Sequence, residues 1–112
     1  MKKIEVIIRP EKLEDVRQAL RKIGCSGMMI TEIEGHGRQK GFIQQWRGEK
    51  YKLELLPKIK IEIVVKDIDT ERIVNTIIES ARTGEIGDGK IFISPVEEVI
   101  RIRTSEKGET AL

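Results

Sequence analysis

Residues 83–90, TGEIGDGK, set Gly84, Gly87 and Gly89 among Glu85, Asp88 and Lys90. Glycine accepts the positive φ angles of tight turns, so the stretch reads as a chain reversal. It reads equally as a cradle for an anion, because successive backbone N–H groups in such a turn form a concavity and Lys90 adds charge. Arg101 and Arg103 make a second candidate pair. Two apart on an expected strand, they project to one side, as a solvated edge pair or as two donors for one phosphate. The single histidine, His36, has no activating partner in sequence and reads as surface packing rather than as a base or a ligand. Cys25 is alone, which excludes a disulfide framework and a cysteine cluster for zinc and fits a reducing cytoplasm.

The chain that must position these groups has 112 residues, enough for one core and one domain, 1–112. Its 21 basic and 19 acidic residues leave a formal charge of +2, which does not describe a nucleic-acid binder driven by bulk charge. Hydrophobic residues make up 38%, enough to fold. The opening apolar run is too interrupted for a signal peptide, and no run approaches a membrane span.

Ile4, Val6 and Ile8 alternate with polar neighbours, the period of a strand with one face on a core. Pro10 suits the opening of a helix; Leu13, Val16, Leu20 and Ile23 follow at helical spacing, and Gly24 is placed to end it. GMMITEIEG reads as a second strand. The order then repeats: Ile59, Ile61, Ile63 and Val65 alternate, Asp69 or Thr70 caps a helix striped by Ile73, Val74, Ile77, Ile78 and Ala81, and KIFIS is a fourth strand. Two strand–helix–strand units with right-handed crossovers predict an α+β, ferredoxin-like split βαβ-βαβ sandwich. Both helices then cover one sheet face; the other, expected to be aliphatic, needs a cover that a second copy would provide.

Between the halves lies GRQKGFIQQWRGEKYKLELLP, longer than an ordinary connection. Phe42, Ile43, Trp46 and Tyr51 stand among its charges, a composition for contacts rather than for a spacer. Tyr51, Leu53 and Leu55 alternate with Lys50, Lys52 and Glu54, so part of it is expected to pair as a ribbon.

The motifs GRQKG, RG…Y…LPKIKIE, ARTGEIGDGKIF and IRIRT, in this order, resemble the PII signal-transduction family, and the match runs from RPEKLEDVRQAL through Arg103. The resemblance implies a ferredoxin-like homotrimer that is not an enzyme, with a T-loop at about 37–55, a B-loop at about 82–90 and a C-loop at about 101–112. It further implies a non-enzymatic, cytoplasmic sensor of ATP or ADP and of 2-oxoglutarate. Such a sensor controls nitrogen assimilation through the T-loop, with an ammonium transporter as the leading partner. Contact with a membrane would come only through that transporter. The alternative within the family is a regulator of nitrogenase or of a nitrogen-metabolism enzyme.

The nucleotide residues implied are Met29, Gly35, Gly37, Arg38, Gln39, Glu62, Val64, Gly87, Asp88, Gly89 and Lys90, with Arg101 and Arg103 reaching in from the adjacent subunit. Gln39, Lys40, Gly41, Lys58 and Gly87 would hold 2-oxoglutarate, and Gln39 would ligate Mg²⁺ beside the ATP phosphates. Phe42, Ile43, Trp46, Arg47 and Tyr51 would form the partner-binding loop, with Tyr51 matching a tyrosine that some lineages modify. This chain departs from the pattern at Met29, commonly threonine, at His36, commonly phenylalanine, and at Glu49, a phosphoserine site in some relatives. An RNA-binding module of the same fold would need exposed aromatics for base stacking, and the strands offer only Phe92.

Overall fold

The computed structural model describes residues 1–39 and 52–112. Its elements are β1 (Lys2–Ile8), α1 (Leu13–Lys22), β2 (Met29–Gln39), β3 (Lys52–Val65), α2 (Thr70–Ala81) and β4 (Lys90–Pro95). The strands form one antiparallel sheet in the order β2-β3-β1-β4. That order, with both helices as crossovers, is the predicted ferredoxin-like arrangement.

The alternations seen in the sequence become one core. Ile4, Val6 and Ile8 of β1 and Ile59, Ile61, Ile63 and Val65 of β3 are buried against Val16 and Leu20 of α1 and Ile73, Ile77 and Ala81 of α2. Each large aliphatic side chain buried this way stabilises the fold by roughly 1.5–3 kcal/mol. Val74 and Ile78 are half-buried instead; with Ile91 and Ile93 they line an apolar hollow of about 390 Å³ between α2 and β4.

Local details differ from the sequence reading. Pro10 opens a short 3-10 turn, Pro10–Lys12, and α1 follows it. A second 3-10 turn, Asp67–Asp69, leads into α2, and neither Asp69 nor Thr70 caps that helix through its side chain. Thr70 Oγ1 turns back to the Lys66 carbonyl, and Asp69 accepts from Arg72 at 3.2 Å. The expected ribbon is present from Lys52 onward, where β2 and β3 stay paired from Gln39↔Lys52 to Met29↔Glu62; Lys50 and Tyr51 lie outside the described residues.

The open sheet face is not aliphatic. Lys3 Nζ lies 2.8 Å from Glu62 and 3.1 Å from Glu5, and Lys60 Nζ lies 3.4 Å from Glu62. The hydrogen bond from Lys3, with that from Lys60, holds the Glu62 carboxyl below its ordinary pKa despite some desolvation. The charged members at Lys3, Glu5, Lys60 and Glu62 occupy the alternate positions of the strands whose other positions build the core. The sheet therefore offers a neighbour ionic groups as well as Phe92, which is 52% exposed.

Candidate functional site

The glycine-rich turn lies against the C-terminal end of β1 because β4 pairs with β1 in a register that sets Lys90 opposite Ile7. At Gly89 (φ +106°) an added Cβ would stand 1.7 Å from the Ile7 carbonyl oxygen. Only glycine fits that approach. The turn is also braced from within. Asp88 Oδ2 accepts the backbone N–H groups of Thr83 and Gly84, each at 2.9 Å, and its Oδ1 accepts the Thr83 hydroxyl and Arg9 Nε at 3.2 Å. Burial alone would push the Asp88 carboxyl up, but these donors outweigh it and hold the group far below the usual carboxylate range. The Asp88 carboxylate is thus an internal brace, its oxygens engaged by Arg9 and by the turn itself, which leaves only its backbone N–H to face a ligand.

Two cations flank the turn. Arg9 Nη2 donates to the Ile86 carbonyl at 2.8 Å, and Lys58 Nζ donates to the Gly87 carbonyl at 2.8 Å. Lys58 passes beside Gly35, where an added Cβ would stand 3.9 Å from Lys58 Cγ in ordinary contact. Burial, and after it the charge of Arg9, lower the Lys58 pKa. With the carbonyls of Ile86 and Gly87 taken by cations, the N–H groups of Gly87, Asp88 and Gly89 make no hydrogen bond to any described residue. Three unengaged donors beside two cations are an arrangement that can receive an anion.

The remaining candidates do not all gather here. Gly37, Arg38 and Gln39 close β2, opposite Glu54, Leu53 and Lys52. Met29 pairs with Glu62, and Val64 lies further along β3, opposite Lys3. Val64 is four residues from Lys60, the partner of Ile7, so roughly 13 Å of strand separates it from the turn. Met29 and Val64 instead line a second hollow with Cys25, Arg72 and Leu112, and Arg101 Nη2 donates to the Leu112 carbonyl at 3.3 Å. The candidates thus fall in three places within one chain: the turn with Lys58 and Gly35, the end of β2 at Gly37, Arg38 and Gln39, and the Met29–Val64–Arg101 end.

Arg101 and Arg103 are not on a strand. Ile100 makes an isolated bridge to Lys107, and residues 102–104 form a turn closed by the Ser105 N–H on the Arg101 carbonyl. Arg101 is fastened there, with Nη1 3.2 Å from Glu106 and Nη2 on the carbonyls of Thr110 and Leu112, whereas Arg103 is exposed. Met29 and His36 are exposed, and no group of three His, Cys, Asp or Glu residues among the described residues could hold a metal ion. Lys40, Gly41, Phe42, Ile43, Trp46, Arg47, Glu49 and Tyr51 lie outside the described residues.

Sequence reasoning missed Arg9 and Thr83. Arg9 is 79 residues from Asp88, and only the pairing of β1 with β4 brings them together. The signal available was the arginine at the end of β1, just before Pro10, but reading it required the sheet register.

Compared with known proteins, the chain matches the profile of the family described as "Nitrogen regulatory protein P-II" over residues 1–106. It is 59% identical over all 112 of its residues to "Nitrogen regulatory protein P-II 2" of Methanothermobacter thermautotrophicus, of which it spans 97%. It is 54% identical, over the full length of both, to "Nitrogen regulatory protein P-II" of Azospirillum brasilense. A solved structure described as Arabidopsis thaliana PII bound to citrate superposes with a TM-score of 0.80 at 46% identity, over 99% of this chain and 91% of that one.

Proposed function

The chain belongs to the nitrogen regulatory protein P-II family, and from that premise we propose that it is a sensor of ATP, ADP and 2-oxoglutarate acting on partner proteins without catalysing a reaction. The observation that carries the reading is the braced glycine turn, with unengaged N–H groups at Gly87, Asp88 and Gly89 between Arg9 and Lys58. A polyphosphate supplies the negative oxygens that such donors take. Lys58 is suited to a carboxylate of 2-oxoglutarate, since it can exchange the neutral Gly87 carbonyl for a charged acceptor. The relative described as bound to citrate supports a small polycarboxylate as a ligand of this scaffold.

Gln39, at the end of β2, would offer Mg²⁺ an amide oxygen, a hard donor that fits this ion. With no cluster of three acidic or histidine ligands among the described residues, the ion would depend on phosphate oxygens for the rest of its shell. Bound there, Mg²⁺ would supply a positive centre joining nucleotide and 2-oxoglutarate. Binding of ATP and 2-oxoglutarate is therefore expected to be positively linked, and the linkage must be reciprocal. Lys58→Met removes a charge-assisted hydrogen bond worth about 1.5–3 kcal/mol, so 2-oxoglutarate affinity should fall at least about tenfold and ATP affinity by less. Calorimetry that found equal 2-oxoglutarate affinity with ADP and with Mg²⁺-ATP would overturn the sensor reading.

The separation of the turn from the Met29–Val64–Arg101 end supports a site completed by a neighbouring subunit. Exposed apolar groups favour the same assembly: Ile102 is 97% exposed and Ile100 and Ile93 are at least half exposed. Light scattering should return about three times the chain mass of 12.8 kDa; a monomer at micromolar concentration would refute the shared site. The partner is reached through the T-loop, and an ammonium transporter or an enzyme of nitrogen metabolism fits that role. No helix among the described residues is long and apolar enough to cross a membrane.

A further inference from the structure

We propose that Arg9 is a positioning residue that clasps the 83–90 turn from the end of β1 and holds it in its anion-receiving shape. The proposal rests on the reading of this turn as a phosphate site. Arg9 makes two contacts at right functional positions: Nε on the Asp88 carboxylate at 3.2 Å and Nη2 on the Ile86 carbonyl at 2.8 Å. A planar, rigid fork is pre-organised to serve both acceptors at once, whereas an ammonium on a flexible stem must be ordered to do so. The two contacts lie on either side of Gly87, so the guanidinium spans the point where the chain reverses. Its fit is close there: a Cβ at Gly87 would stand 3.3 Å from Arg9 Nη2.

Electrostatics gives the clasp its purpose. A turn meant for phosphate carries a carboxylate, Asp88, whose charge would repel the ligand. Thr83 and Gly84 offer it only neutral donors. Arg9 is the one cation within ion-pair distance of Asp88 among the described residues, and both partners are about three-quarters buried. The pair therefore neutralises the brace while fixing it, and leaves Lys58, held only on the Gly87 carbonyl, to meet a ligand. Arg9 itself is committed through two of its three nitrogens and acts through the turn.

The test compares Arg9→Gln and Arg9→Lys with the unaltered full-length protein. Backbone amide exchange in the nucleotide-free protein reads the clasp directly. Arg9→Gln should speed exchange at 84–89 by about tenfold or more while the amides of α2 keep their protection. ATP affinity should fall by about tenfold or more, with affinity for adenosine, which has no phosphates, unchanged. Arg9→Lys keeps the charge but loses the fork and should recover part of both effects. Unchanged exchange at 84–89 in Arg9→Gln overturns the clasp. Faster exchange with ATP affinity intact, or equal losses for ATP and adenosine, overturns the positioning role. If the unaltered protein binds no ATP, the phosphate-site reading falls, while the exchange comparison still decides whether Arg9 holds the turn.

Discussion

Gly89→Ala is expected to lower ATP affinity by about a hundredfold or more while the sheet and helices remain folded. The reason is backbone geometry. The new Cβ would sit 1.7 Å from the Ile7 carbonyl oxygen and 2.7 Å from its carbon, and β1 is held on both sides by β3 and β4, so Ile7 cannot retreat. The φ of +106° adds strain of about 1–3 kcal/mol for any residue with a side chain. The turn must therefore lift away from β1, carrying Asp88 from Arg9 and the Gly87 carbonyl from Lys58. A displaced turn no longer aims its N–H groups at the phosphates, and losing two charge-assisted hydrogen bonds to phosphate at about 1.5–3 kcal/mol each corresponds to a hundredfold or more in affinity. Of the core residues only Ile8 comes near the new Cβ, through its Cα at 3.4 Å, an ordinary contact, so circular dichroism should be close to that of the unaltered protein. Calorimetry showing ATP affinity within about threefold of the unaltered protein would mean that the nucleotide binds elsewhere.

The double variant Arg101→Ala/Arg103→Ala should lose at least about tenfold in ATP affinity, from two charge-assisted hydrogen bonds to phosphate. The structure lets the two contributions be separated. Arg103 is exposed, so Arg103→Ala alone reports on charge. Arg101 also ties Glu106, Thr110 and Leu112 together, so Arg101→Ala loosens the C-terminal segment as well. A mixing experiment tests whether the site lies between subunits. Trimers refolded from Gly89→Ala chains and Arg101→Ala/Arg103→Ala chains should regain tight ATP sites, although neither parent has them. One kind of interface in the mixture pairs an intact turn with intact arginines. If mixed trimers bind no better than the parents, turn and arginines belong to the same chain's site or to none.

Much of the fold was legible in the sequence because it rests on short periods. Ile4, Val6 and Ile8 repeat every second residue, and Val16 and Leu20, like Ile73, Ile77 and Ala81, repeat at helical spacing. Burial follows from such periods without knowledge of what lies opposite. The stop at Gly24 and the ribbon around Leu53 and Leu55 were readable for the same local reason. The glycine turn was identifiable as a turn, and its place between a helix and a strand was correct.

What the tertiary structure decided was which distant groups meet. Arg9 and Asp88 are 79 residues apart, and Lys58 and Gly87 are 29 apart. Their contacts depend on the registers of β1 with β4 and of β3 with β1, set by the packing of the whole sheet. The same registers bring together Lys3, Glu5, Lys60 and Glu62, which alternation alone places on the open face, so that the face expected to be aliphatic is crossed by ion pairs. The segment around Arg101 and Arg103 has the alternation of a strand but finds only a single bridge from Ile100 to Lys107, and its hydrogen bonds close a turn. A strand needs a partner edge, and pattern alone does not provide one. Asp88 shows the same limit at one side chain: nothing in the sequence marks it as a brace, and its neighbours make it one, because a carboxylate surrounded by donors satisfies them before it meets anything else.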